Sequence, residues 1–322
     1  MSGAAFILLA WGVELIFGWP DWLYKRCRHP VVWFGAAISR CEQAFNKDSK
    51  SHKLRYVLGA ISSLVLIVVT TGIAMIITTL LPNNVWGLAA EAIIASSLIA
   101  SKSLYIHVQA VARPLSAGDL DSARRAVSMI VGRDPTQLDE ADIASAALES
   151  LAENASDGVI APLFWGAIGG LPALTAYKAI NTLDSMVGHK TKRYHAYGGF
   201  AARLDDLANI IPARLTGILL AFTSLKTSSF KTMFQDAHKH RSPNAGWPEA
   251  AMAGALNLRL SGPRIYDNHV NNEPWLNEGG RPAQAQDIAR GLALFVRAMG
   301  IMTCLLILLA LGQVAKANCP SP

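Results

Sequence analysis

Residues 57–81 read VLGAISSLVLIVVTTGIAMIITTLL, a run with no charged side chain. A helix needs about 20 apolar residues to cross the hydrocarbon of a bilayer. This run exceeds that, so it predicts a span at roughly 56–81 and decides the fold class. Working outward, further apolar segments lie at about 3–20, 86–108, 158–180, 207–225 and 291–313. The last contains LALFVRAMGIMTCLLILLALG, apolar throughout except for Arg297. The composition agrees, with 52% hydrophobic and 16% charged residues, where a soluble domain carries about 25% charged. Mean hydropathy is +0.29. No strand-rich pattern and no internal repeat of fixed period is visible. The expectation is an all-α, polytopic integral membrane protein. It has about five to six membrane segments, some broken or re-entrant, with polar helical loops, and forms one membrane-embedded domain over residues 1–322.

The formal net charge is +6. Many basic residues sit beside the apolar runs rather than in an aromatic-laced stripe, which argues against nucleic acid as a partner. Eight Lys or Arg fall between Lys25 and Arg55. The positive-inside rule assigns that loop to the cytoplasmic side. The four cysteines, Cys27, Cys41, Cys304 and Cys319, form no C-x-x-C pair and read as free thiols in a reducing compartment. The N-terminal run lacks a basic leader and reads as a retained first helix.

Pro82-Asn83-Asn84 is a tight turn between the second and third segments. Glu14 and Glu91 lie inside apolar segments, where each either serves a function or is capped by a neighbouring helix. The fourth segment is interrupted by Gly169-Gly170 and Pro172. It is either two half-helices whose freed backbone lines a site or one kinked span. The fifth contains Pro212 and Arg214, so the sidedness of 181–206 and 226–290 stays open. Residues 113–157 read as amphipathic helix, with Asp134 a cap ahead of Pro135. Residues 181–206 read as a polar connector and 226–290 as a long polar loop region.

Three clusters carry chemistry. Glu149, Glu153 and Asp157 are spaced four apart, which on a helix puts three carboxylates on one face. Mg²⁺ takes such oxygen ligands and bridges carboxylate to phosphate; a solvated acidic face is the plainer alternative. Asn154 helps shape that loop. Lys178, Asn181, Asp184 and Ser185 share one side of the following helix, as a functional polar wall or as a Lys178–Asp184 pair. Arg203, Asp205, Asp206, Asn209 and Arg214 form the third group. Adjacent aspartates diverge by about 100°, so one can meet a metal while the other pairs with an arginine. The guanidinium forks suit phosphate or carboxylate; mutual salt bridging is the alternative. Arg113 and Arg133 add basic groups at helix ends, and Ser242 and Asn244 form a turn able to cap a helix or hold an anion.

No phosphate-binding G-x-x-x-x-G-K-[ST] loop, dinucleotide fingerprint, nucleophile elbow or zinc-protease helix occurs. Of the histidines, His29, His189 and His195 lie near the clusters.

These motifs resemble one family. They are HP at 29–30, RPL at 113–115, VGRD at 131–134, ESLAEN with DG within 149–158, PLF at 162–164, YKAINTLDSMVG at 177–188, RLDDLANIIPARL at 203–215 and SPNAGWPEAAMAGAL at 242–256. Over about residues 10–290 the chain is similar to the CbiB/CobD family, the adenosylcobinamide-phosphate synthases of cobalamin biosynthesis. The resemblance implies a bacterial inner-membrane enzyme. It would join (R)-1-aminopropan-2-ol, or its O-phosphate, to a propionate of adenosylcobyric acid, with ATP as energy source. Other membrane-bound corrinoid-assembly enzymes are implied partners. The chain departs from the pattern at Glu14 and Gly18-Trp19-Pro20, at His189 before Lys190, and at Ser261-Gly262 and Asp267-Asn268.

An unactivated carboxylate must become a better electrophile before an amine attacks it. ATP with Mg²⁺ serves that end, and phosphoryl transfer needs metal and arginine charge more than a covalent nucleophile. Glu149, Glu153, Asp157 and Asp205 are the expected metal ligands. Lys178, Asp184, His189 and Asp206 are the expected catalytic groups, with the amine's base either Asp184 or His189. Arg113, Arg133, Asn154, Asn181, Arg203, Arg214, Ser242 and Asn244 are the expected substrate and phosphate contacts. The rival class is a transporter for a corrinoid or other anionic solute, which shares broken helices and intramembrane charge.

Overall fold

The computed structural model describes residues 3–132, 135–266 and 269–318. In chain order the helices are α1 (Gly3–Phe17), α2 (Asp21–Cys27), α3 (Pro30–Phe45), α4 (His52–Leu80), α5 (Val85–Ser96), α6 (Ser101–Ser116), α7 (Leu120–Val127), α8 (Glu140–Asn154), α9 (Ala161–Val187), α10 (Gly199–Ala208), α11 (Ile210–Ser224), α12 (Thr227–Asp236), α13 (Gly246–Leu256) and α14 (Ala285–Asn318). A π-helical turn, Ala155–Ile160, follows α8. Among the described residues, four helices are long and apolar enough to cross a membrane: His52–Leu80, Val85–Ser116, Glu140–Val187 and Ala285–Lys316. Two bent pairs, Gly3–Phe17 with Trp22–Phe45 and Gly199–Ala208 with Ile210–Ser224, make six if each is one span. The fold is the all-α polytopic one that the sequence predicts.

The contacts resolve into two compact units. The first comprises the chain up to Ala100, Ala161–Ala208 and the chain from Leu306. Its hub is α9, against which α1, α3, α4, α5 and α10 pack. Ile38, Leu183, Val187, Tyr197 and Ala201 form one buried cluster, and Ala161, Tyr177 and Ala208 another. Along α4, Ile61, Val65, Val68, Val69, Ile73 and Ile76 are exposed, as a helix bathed in lipid requires. Ser51 caps α4 and Asn84 caps α5, accepting from Trp86 N and Gly87 N at the predicted turn. Glu91 is held by a hydrogen bond from Thr78 Oγ1 at 3.0 Å. The interruption in α9 is a true break. Gly169 and Gly170 leave helical geometry, and Gly170 has φ +62° and ψ −154°, a conformation open chiefly to glycine.

The second unit comprises Ser101–Ile160 and Asn209–Leu305. Here α13 is the buried element, packed by α8, α11 and α12. From Pro248 to Leu256 every residue is buried, and the alanines and glycine of that run let neighbours approach closely. Two short antiparallel ladders follow: β1 (Leu260–Ser261) with β4 (Trp275–Leu276), and β2 (Arg264–Tyr266) with β3 (His269–Asn271). At the start of α14, Asp287 is fully buried. It accepts from Arg281 Nη1 and Nη2 at 2.7 Å each, Arg290 Nη1 at 2.8 Å and Gln284 N at 3.0 Å.

Three local expectations are corrected. Much of the basic loop from Lys25 to Arg55 is α3, started by His29, whose Nδ1 accepts from Val31 N with Pro30 at the first helical position. Residues 226–290 are no polar loop but hold α12, α13 and the start of α14, with α13 buried in the core. The helix expected behind Asp134 starts instead at Glu140. There Asp139 and Asp142 form a reciprocal capping box, and Asp134 itself lies outside the described residues.

Candidate functional site

In the first unit, α9 runs on from the break to present Lys178, Asn181 and Asp184 near its end. Lys178 Nζ donates to Asn181 Oδ1 at 3.2 Å and lies in electrostatic range of His29. Asp184 lies in electrostatic range of Asp206 on α10 and of His189 in the connector. Asp206 in turn feels Lys190. Two carboxylates and two potential cations, drawn from α9, α10 and the segment between them, thus form one group. Gly188 is required there: a Cβ would run into the Asp184 carboxylate. Asp184 and Asp206 are partly buried, while His189 and Lys190 are exposed.

The adjacent aspartates divide as the helix angle demands. Asp205 is buried and Asp206 faces the connector. Arg203 is exposed and lies on Tyr56, 5.9 Å from the ring centroid, with its Nη1 donating to Tyr56 Oη at 3.3 Å.

The connector between α9 and α10 is clamped by residues the sequence reading passed over. Arg193 Nε and Nη2 reach Glu42 Oε1 and Oε2, both at 2.9 Å. Asn46 Nδ2 donates to Glu42 at 2.8 Å and to the Arg193 carbonyl at 3.2 Å. Arg55 Nε donates to Asn46 Oδ1 at 2.7 Å and its Nη2 to the Arg193 carbonyl. The hydrogen bond to Glu42 raises the Arg193 guanidinium above its already high ordinary value. Glu42 and Asn46 are one helical turn apart in sequence, the only local signal, and it does not name their partner.

In the second unit, the carboxylate trio spans two kinds of helix, with Glu149 and Glu153 in α8 and Asp157 in the π turn. Glu149 is buried, Glu153 exposed and Asp157 intermediate. The π turn is wider than an α turn, so the four-residue step from Glu153 to Asp157 no longer returns to the same side. Glu149 Oε1 already accepts from Ser145 Oγ and Ser261 N, both at 2.8 Å. Asn154 Nδ2 donates back to the Ser150 carbonyl at 2.9 Å. Arg214, Ser242 and Asn244 do come together. Arg214 Nη1 donates to Asn244 Oδ1 at 3.0 Å and to the Ile210 carbonyl at 2.8 Å, with the guanidinium 4.7 Å from the Trp247 ring centroid. Ser242 Oγ accepts from Asn244 N and Ala245 N, and His240 Nδ1 accepts from Ser242 N at 3.0 Å, fixing the turn. Arg113 lies in the last turn of α6. Arg133 lies outside the described residues.

Among the described residues no three His, Cys, Asp or Glu gather closely enough to cage a metal ion. A Mg²⁺ carried on phosphate needs only one or two protein carboxylates. The hard oxygen donors of Asp184 and Asp206 suit that role, whereas Glu149 has an oxygen already committed to the fold.

Compared with known proteins, the chain matches the family described as "CobD/Cbib protein" over residues 7–295. A "Cobalamin biosynthesis protein CobD" of Rhodobacter capsulatus is 54% identical over 96% of this chain and 98% of its own. Proteins of the same name from Brucella suis and Rhizobium meliloti are 48% and 43% identical, over 93% and 92% of this chain and 94% of each of theirs. No solved structure matches.

Proposed function

This chain belongs to the CobD/Cbib family, and from that premise we propose that it is the amide-forming ligase, adenosylcobinamide-phosphate synthase, of cobalamin biosynthesis. It attaches (R)-1-aminopropan-2-ol O-phosphate, or the free aminoalcohol, to a propionate of adenosylcobyric acid, and works in the bacterial inner membrane. The observation that carries the reading is the group formed by Asp184, Asp206, His189 and Lys190.

Two carboxylates within electrostatic range of each other favour a cation nearby. Asp184 and Asp206 would hold Mg²⁺, and Lys178, Lys190 and Arg203 would hold phosphate. ATP with its metal would supply a leaving group for the propionate oxygen. The chain's own residues then have two tasks. These cations orient and neutralise phosphate oxygens. His189, or Asp184 where Asp206 alone holds the metal, removes the proton that the attacking amine must lose. Arg214, pinned by Asn244 and Trp247, presents a fixed fork to an anionic group. The expected product of purified protein with adenosylcobyric acid, aminopropanol phosphate, ATP and Mg²⁺ is adenosylcobinamide phosphate, read by mass spectrometry. No new amide with all four present, under conditions where the protein stays folded, overturns the reading. The broken α9 favours one rival, transport. Vesicles that accumulate corrinoid without new product would establish it.

A further inference from the structure

The second unit carries an open cavity of about 610 Å³ between α6 and α14. We propose that it is a binding site for an anionic phospholipid, whose phosphate is gripped by Arg113 and Arg297. This goes beyond the ligase reading and does not depend on it. It moves Arg113 from a substrate contact to a lipid contact.

Tyr105, Gln109, Arg113 and Ser116 recur along one stripe of α6, and Leu292, Val296 and Arg297 along one stripe of α14. Among the described residues neither guanidinium makes a hydrogen bond or ion pair. Two such cations on one wall system repel each other, and an anion between them removes that cost. No Asp or Glu lines the cavity. A zwitterionic headgroup would leave its ammonium without a counter-charge, so the occupant is anionic. A free phosphate, in turn, makes no use of the walls offered by Ala112, Leu292, Ala293 and Val296. A lipid supplies both parts.

The position in the chain agrees. Arg297 is among the first residues of the apolar run 291–313, about 9 Å along the helix from its start. Arg113 lies just past the end of the run 86–108. Long arginine side chains so placed reach the headgroup level. Val296 is 52% exposed and Ile106 on α6 is 50% exposed, so the groove opens onto an apolar surface. Tyr105, Gln109 and Ser116 offer hydroxyl and amide groups to a polyol headgroup such as glycerol.

The test uses the full chain, delipidated in neutral detergent. Fluorescent phosphatidylglycerol is titrated in, with phosphatidylcholine, inorganic phosphate and aminopropanol phosphate as competitors. Wild type is expected to prefer phosphatidylglycerol to phosphatidylcholine. Arg297→Gln is expected to weaken it roughly tenfold, the effect of one charge-assisted contact. Arg113→Gln/Arg297→Gln abolishes the preference. Arg113→Lys/Arg297→Lys retains much of it, because lysine still meets phosphate as a point charge. Should the double glutamine variant not fold, Arg297→Gln alone decides, and the same loss is required. Equal phosphatidylglycerol binding by wild type and Arg297→Gln overturns the proposal. So does displacement of the lipid by inorganic phosphate or aminopropanol phosphate, which would make the groove a site for small phosphates.

Discussion

Asp205 and Asp206 are neighbours in sequence with opposite fates, one turned into the core and one toward the connector. Asp206→Asn is therefore expected to lower amide formation at least about 100-fold, the scale of a lost charge at a reaction centre, while expression and thermal midpoint barely move. Unchanged turnover would remove Asp206 from the chemistry. Helix geometry alone made the divergence of the two side chains legible, but the expected metal ligand was Asp205, which is the buried one. The same geometry also made Lys178, Asn181 and Asp184 legible, since they share a regular helix. The spacing argument fails only at Asp157, where the π turn changes the repeat that it assumes. Nothing in the sequence announces Arg193, whose partner Glu42 lies 151 residues away. Arg193→Ala is expected to loosen the connector: trypsin should cut at Lys190 or Lys192 markedly faster than in wild type. A cleavage rate equal to wild type would show that the clamp does not hold the segment.

Whole elements were legible where lipid solvates them and hidden where protein does. The span α4 is uncharged over 57–81 and needs no knowledge of neighbours. The core helix α13 is read from Pro-Glu-Ala-Ala-Met-Ala-Gly-Ala-Leu, small side chains within a region whose average is polar. Its burial depends on α8, α11 and α12 closing around it, which local pattern does not encode. The start of α14 makes a testable case. Asp287 gathers Arg281, Arg290 and the Gln284 amide with no exposure to water. Asp287→Ala leaves two guanidinium groups and a helix-terminal amide without their shared acceptor. The expected loss is about 3 kcal/mol of stability, read as a lowered denaturation midpoint in detergent. A loss below about 0.5 kcal/mol, the scale of an ordinary surface change, would mean that solvent replaces those bonds.

At the scale of the whole molecule, the apolar segments of the sequence foretold a polytopic helical protein, and family membership ties it to cobalamin biosynthesis. The interrupted α9 has a further consequence for the bilayer around it. The stretch from Leu171 to Val187 is about 26 Å long, so it does not reach across 30 Å of hydrocarbon alone. A helix start leaves its first amides without carbonyl partners four residues back. Hydrogen–deuterium exchange is expected to be faster at Leu171, Ala173 and Leu174 than at Tyr177–Thr182. Uniform protection through the break would count against it. Exchange of that kind means a thread of moisture held at depth in oil, and a membrane that admits water there must keep the thread from joining both sides, or protons would leak along it.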